Sequence, residues 1–312
     1  VAQLCLRAAD AVEWLTANLD RFSPVSDGRL SKSGLQAVAE LAILYSHLAS
    51  CASPATLPLR GSLPVWRAFL VERCEANFYA ERVRRDPLRA YYLALPYLML
   101  RAGGYRSPQY EDALRQMRRW GLPEATEVVP YRRLDRRYFL WRSGWARQEP
   151  NWLRLYRDTG LFRWRGSTYV DEEGAYAITH TLFYLTDFGR RPLPLSEAAA
   201  ERIVALVESL LVHYWRLSHW DLVGELLMNL ECLDRRGSVF YAGAARAFLR
   251  AWRRDGSVPP SPAAIMDLRS AAPSERPSLA FRSCYHTTLV GVLYASTALA
   301  RPPAASHAAA TA

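Results

Sequence analysis

AQLCLRAADAVEWLTANLD, residues 2–20, is the stretch whose reading decides the fold class. Its apolar residues recur three and four apart, with Leu6, Ala9, Val12 and Leu15 as the stripe, and that period belongs to a helix with one buried face. The same spacing predicts helices over about 34–50, 63–80, 88–102, 108–120, 131–142 and 150–160. It continues over about 173–188, 196–217, 219–233, 238–254 and 283–300. Breakers stand at the ends: Gly103-Gly104, Gly121 with Pro123, Gly189 before Pro192, Gly237, and Gly256 ahead of Pro259-Pro260. Strand signals are nearly absent.

Twelve successive helices without a repeat of fixed period count against a regular solenoid. They predict an all-α chain, an α/α toroid of about six helical hairpins, forming one domain over 1–300. Stretch 255–282 departs from the pattern, with Pro259, Pro260, Pro262, Pro273 and Pro277 in a Ser/Ala-rich run. It reads either as a lid over a site or as a surface excursion. Residues 301–312 read as a disordered tail that takes His307 with it.

Half of the 312 residues are hydrophobic, enough for a sizeable core, and no run of about 18 apolar residues predicts a membrane span. The opening residues carry acids and read as helix rather than export signal. The net charge of +10 comes from arginine, since Lys32 is the only lysine. The arginines are scattered among acids instead of forming one stripe, so neither a nucleic acid nor a membrane is the expected partner. A small-molecule substrate, anionic where arginines hold it, is expected instead. Five cysteines, an odd number without a CxxC pair, fit a reducing cytoplasm better than a disulfide framework.

Three segments gather the residues that do chemistry. In YAITHTLFYLTDFG (176–189), His180 and Asp187 are seven apart, two helical turns, and so share a face. Asp187-Phe188-Gly189 also suits a helix C-terminal turn. In SHWDLVGELL (218–227), His219 opens a helix capped by Ser218, and Asp221 and Glu225 share a face four apart. In SCYHTTLVGVL (283–293), Cys284 and His286 stand in the first turn of the last helix, with Ser283 as its cap.

These segments fall on the eighth, tenth and twelfth predicted helices. In a toroid, alternate helices form the inner ring, so the three would converge at one mouth. Imidazole, thiolate and carboxylate are the ligands of zinc, and a catalytic zinc keeps one position open. Cys284, His286 and His219 supply the ligand set, while His180, Asp187, Asp221 and Glu225 add a further ligand or move protons. A thiolate favours zinc; a set without sulfur also admits iron or manganese. Residues two apart on a regular helix point about 200° away from each other, so Cys284 and His286 meet one metal only where the helix starts between them or is irregular.

His47 and His213 read as packing histidines, and Thr179, Thr181, Thr287 and Thr288 suit buried, hydrogen-bonded helix faces. PYRRLDRRYFLWRSGW (130–145) carries Arg132, Arg133, Arg136 and Arg137 among aromatics. Arg132, Arg133, Arg136 and Tyr138 read as a binding face for a carboxylate or phosphate, or else as a solvated helix with its aromatics buried. No phosphate loop, Rossmann fingerprint, HExxH or GxSxG occurs.

The segments Thr179-His180 with Thr186-Asp187-Phe188-Gly189, His219-Trp220-Asp221-Leu222, and Cys284-Tyr285-His286-Thr287-Thr288 resemble a bacterial family of all-helical proteins. Its members are encoded in actinobacterial genomes, some near specialised-metabolite pathways. The likeness runs from the first helix to about residue 300 and implies a cytosolic location without an assigned activity. In architecture alone the chain is similar to lanthipeptide cyclases and protein prenyltransferases, whose zinc sites use Cys, His and Asp. It lacks the adjacent Cys-His of the former and the Asp-x-Cys of the latter.

Three functional readings follow. The first is a metal-assisted lyase, cyclase or hydrolase, with zinc, acting on a small molecule in specialised metabolism. The second is a metal-free acid/base enzyme of the same fold, with His180 or His286 as base. The third is a non-catalytic binding or scaffold module that docks an acidic partner through the arginine helix.

Overall fold

The computed structural model describes residues 2–26, 29–86, 89–164 and 166–301. Of the tail expected over 301–312, Arg301 is described and bonded to Asp234 and the Gly189 carbonyl, while 302–312, with His307, lie outside the described residues. Among the described residues the chain is helical apart from a minimal antiparallel pair, β1 (Val25–Ser26) and β2 (Arg29–Leu30), in which Val25 faces Leu30.

Sixteen α-helices follow one another among the described residues. The first eight are α1 (Ala2–Ala17), α2 (Lys32–Ala49), α3 (Leu63–Glu75), α4 (Asn77–Arg85), α5 (Ala90–Ala102), α6 (Pro108–Arg119), α7 (Leu122–Ala125) and α8 (Pro130–Arg142). Next come α9 (Trp152–Asp158), α10 (Gly160–Arg163), α11 (Glu172–Leu185) and α12 (Glu197–Arg216). The last four are α13 (Trp220–Cys232), α14 (Tyr241–Ala251), α15 (Pro262–Ser270) and α16 (Arg276–Ala300).

The opening helix forms as read, but its buried face is Ala8, Ala11, Val12 and Leu15, while Leu6 stays 68% exposed. Val12 and Leu15 are buried as read, while Ala8 and Ala11 take the places expected of Leu6 and Ala9 on the face that packs against α16.

Six helices pack in a closed circuit: α2 on α5, α5 on α8, α8 on α11, α11 on α13, α13 on α16, and α16 back on α2. Their sequences explain the position. AYYLALPYLML in α5 and LVGELLMNL in α13 are apolar nearly all round, and both helices are buried over most of their length. By contrast α12 is one-sided and packs against α13 from outside.

The circuit helices run in one sense. Glu40 of α2, Tyr176 of α11, Asp221 of α13 and His286 of α16 meet within the N-terminal halves of their helices. The opposite ends are tied by Arg101 to the Ser143 carbonyl (2.5 Å), Tyr138 to Asp187 (2.6 Å), Arg190 to the His47 carbonyl (3.2 Å) and Arg301 to the Gly189 carbonyl (3.0 Å).

The stretch expected as a proline-rich loop is largely helical. Ser261 caps α15 by accepting from the Ala264 N–H, and Pro262 and Pro277 occupy the first turns of α15 and α16, where a missing N–H costs nothing. Its start lies beside the N-terminal end of α13, with Pro260 accepting from the Trp220 N–H (2.8 Å) and the Val258 N–H donating to Thr288 (2.9 Å).

Candidate functional site

Three polar residues of α13 and α16 form the centre of the N-terminal end. Asp221 and Glu225 share a face of α13, and Gly224 between them lies against Val290 and Phe248. A Cβ on Gly224 would meet those side chains at 2.8 and 2.9 Å, so glycine is what allows α16 to lie this close. His286 then places Nε2 3.3 Å from Asp221 Oδ2 and Nδ1 2.9 Å from Glu40 Oε2.

Each carboxylate is held by hydroxyls. Tyr176 donates to Asp221 Oδ2 (2.7 Å), Thr287 to Asp221 Oδ1 (3.0 Å), and Thr179 to Glu225 Oε2. His180 Nε2 lies 3.4 Å from Glu225 Oε1, and its Nδ1 is buried without a partner. Asp221, Glu225 and His286 each present one donor atom, all within 4.8 Å of one another, the only such group of three among the described residues.

Burial disfavours charge on His286, yet Asp221 and Glu40 outweigh it and hold the imidazole well above its usual pKa of 6.5. Burial likewise opposes the Asp221 charge, but His286, Tyr176 and Thr287 keep its carboxyl below the ordinary range. Asp135 on α8 behaves differently: burial pushes its carboxyl up to about 6, against the pull of Arg132, which lies 3.2 Å away. The site is not sealed, since His180 and His286 keep 21% and 30% of their side chains accessible. Tyr131 and Tyr176 flank His180, with ring centroids at 6.0 and 6.2 Å.

The expected ligand trio of His219, Cys284 and His286 is not brought together. Helix α16 begins at Arg276, so Cys284 and His286 lie on a regular stretch and diverge as their spacing requires, and Ser283 is no cap. Cys284 turns to Ser257, fully buried, with burial pushing its thiol up to about 11. His219 is itself the cap of α13: its Nδ1 accepts the Leu222 N–H (3.3 Å), leaving Nε2 toward Glu172 (3.4 Å). Ser218, expected to cap, lies at φ 54 just outside.

Asp187 is separated from His180. Helix α11 ends at Leu185, and Asp187, Phe188 and Gly189 all take left-handed backbone (φ 48, 54 and 81), so the two-turn projection fails and Asp187 joins Tyr138, Arg142 and Arg190 at the opposite end. The arginine helix does not present one face. Arg132 turns to Asp135, Arg133 pairs with Asp158 (3.6 Å), Arg137 pairs with Glu124 (3.1 Å), and Arg136 is buried over Tyr91. Tyr138 is buried and gives its hydroxyl to Asp187. Of the expected catalytic residues, His180, Asp221 and Glu225 stand together.

Sequence reading passed over Glu40, Asp135 and Tyr176. Each left a signal. Glu40 is a lone acid in the apolar run AVAELAILY, Asp135 lies three residues after Arg132, and Tyr176 stands one helical turn before His180.

Fold and site define an all-helical protein whose polar centre is assembled from helices far apart in sequence. The chain belongs to the family described as a domain of unknown function (DUF6895), whose model matches residues 8–296. No curated protein and no solved structure matches the chain. Among the described residues no helix is long and apolar enough to cross a membrane.

Proposed function

We propose that the protein is a metal-dependent hydrolase or lyase of small-molecule metabolism, built as an α/α toroid with its reaction centre at the N-terminal end of the inner helices. The six-helix closed circuit supports the toroid. The observation that carries the function is the convergence of Asp221, Glu225 and His286 within 4.8 Å, each braced by a second residue. Glu40 on Nδ1 of His286 leaves Nε2 toward Asp221, the carboxylate–histidine arrangement that orients metal ligands elsewhere. Two carboxylates and one imidazole without sulfur suit zinc, manganese or iron(II).

A divalent ion bound there would act as a Lewis acid and lower the pKa of a water at its open position. His180, in contact with Glu225 and accessible from one side, is placed to take or return a proton. Tyr131 and Tyr176 give the substrate an aromatic wall. The expectation of specialised metabolism belongs to the same reading and rests on the motif resemblance alone.

Elemental analysis of tag-free protein purified without chelator tests this. About one equivalent of a transition metal, lost in Asp221→Asn and in Glu225→Gln, is expected. Less than about a tenth of an equivalent, with no uptake on addition, would sink it.

A metal-free acid/base enzyme is the second reading. It is favoured by the Glu40–His286–Asp221 ion triad, in which His286 needs no metal to be satisfied. Turnover that survives exhaustive chelation but vanishes in His180→Ala would select it.

A further inference from the structure

The chain between Pro260 and Phe281 is tied to the rest of the molecule at its two ends and hardly at all between them. At one end the Pro260 carbonyl accepts from the Trp220 N–H (2.8 Å), one residue before Asp221, and Val258 joins the continuous apolar core. At the other, Phe281 belongs to the same core, its ring centroid 4.9 Å from that of Phe22 and 5.3 Å from that of Tyr285, the residue before His286. Both ends therefore stand beside residues of the carboxylate site.

Among the described residues, 261–280 make no hydrogen bond to any other part of the chain, apart from those that run on along α16. Asp267, Arg269, Glu275 and Arg276 are exposed and enter no ion pair among the described residues. Ala264 and Leu268, four apart on α15, are the buried side chains of the stretch, and neither belongs to the apolar core that takes in Val258 and Phe281. The joints on either side of α15 are extended: Ser261 (φ −160, ψ 166), as a residue before proline favours, and Ala271 (φ −67, ψ 146) ahead of Pro273. The first turn of α16 has no side-chain cap. A short helix between two extended joints, docked by two apolar side chains and by no polar contact, is a unit that opens locally while the core stays folded. We propose that residues 261–280 are a strap that undocks and redocks as one unit and thereby gates the mouth of the carboxylate site. This rests on the functional reading above only in giving the gate a ligand to admit; the motion itself needs no metal.

The test uses the full chain, treated with chelator, in two measurements. In hydrogen exchange read by mass spectrometry, the helical amides of 264–280 should exchange together and at least about a hundredfold faster than those of α13. Leu268→Ala, which removes the larger docking side chain, should speed the strap by a further tenfold or so and leave α13 and α16 beyond Phe281 unchanged. In hydroxyl-radical footprinting, Leu268→Ala and a variant with 262–275 replaced by a short Gly/Ser link should both raise oxidation of His286 and Tyr176 at least about twofold, relative to the exposed Trp120 on the far side of the circuit. Should the link variant fail to fold, Leu268→Ala alone decides. Strap amides that exchange as slowly as those of α13 overturn the proposal. So does footprinting of His286 and Tyr176 that stays unchanged once the strap is loosened or removed, because the strap would then lie away from the mouth. A chain that takes up no metal would sink the functional reading and leave both of these measurements as they are.

Discussion

His286, part-buried, and His47, buried, are imidazoles on circuit helices, each with a ring nitrogen on a charged neighbour, yet they hold opposite protonation states. His286 lies between the carboxylates of Asp221 and Glu40 and is held cationic. His47 lies beside Arg190 and Arg142 and is held neutral. Burial lowers both, so the sign of the partners, not depth, decides the charge. The N-terminal end therefore holds a proton that the proposed metal cation would have to displace. The C-terminal end holds a buried ring nitrogen, Nε2 of His47, without a partner.

The largest break in this comparison is Asp221→Ala. It removes one of the two counter-charges of His286 and leaves the Tyr176 and Thr287 hydroxyls without their acceptor. Removing one member of a buried ion pair costs about 3–5 kcal/mol, and urea unfolding at neutral pH should show a loss of that order together with loss of bound metal. A loss below about 1 kcal/mol would mean that the triad does not fasten α13 to α16.

The two histidines should also shape stability against pH in opposite directions, measured in chelator-treated protein. His286 has a raised folded pKa, so its contribution is full below the unfolded value of about 6.5 and is lost as pH rises toward the folded value. His47 has a depressed folded pKa, so its contribution is full above about 6.5 and is lost as pH falls. Each limb is bounded by about 1.4 kcal/mol per pH unit, and the two together predict a maximum near pH 6.5. His286→Gln should flatten the alkaline limb and His47→Gln the acid one. If either variant altered the wrong limb, the assignment of charge states would be reversed.

The sequence made the helices legible because a 3.6-residue period and Gly/Pro breakers are local signals. It was read wrongly where local signals were ambiguous. Pro262 and Pro277 looked like loop residues but sit in the first turn of helices, where proline is favoured, and this delayed the expected start of α16 to residue 283. That one shift made Cys284 and His286 look like neighbours at a helix start. Asp221, Glu225, His286 and His180 were legible as a convergent set, since they recur on alternating predicted helices. Glu40 was not, because its partner His286 lies 246 residues away and pairing across a closed circuit leaves no trace in local spacing. Asp135 pairs locally with Arg132, but the burial that raises its carboxyl comes from the tertiary packing, which spacing does not show.

Cys284→Ala sharpens the distinction between what the motif suggests and where the thiol points. Cys284 is fully buried toward Ser257, on the face of α16 away from His286. Removing the sulfur leaves a small void, and a loss of about 1 kcal/mol in unfolding free energy is expected, near the middle of single-substitution effects. Metal content should be unchanged. A metal site that disappears in Cys284→Ala at preserved fold would restore the thiolate as a ligand and overturn the carboxylate-rich set.

The smallest expected effect is that of Arg133→Ala, and it separates two arginines that the sequence presents as equals. Arg133 and its partner Asp158 are each about half exposed at 3.6 Å, a pair that solvent screens and that side-chain entropy opposes. Its removal should change stability by less than about 0.5 kcal/mol and leave metal content as it is. Arg132, one residue earlier, sits 3.2 Å from the buried Asp135 and is what keeps that carboxyl from rising above about 6. In Arg132→Ala the Asp135 titration, followed by ¹³C-carboxyl NMR, should therefore move upward, while in Arg133→Ala it should stay where it is. An upward shift in both variants would mean that the helix acts through its summed charge, and the docking role once read from its four arginines would regain a physical basis.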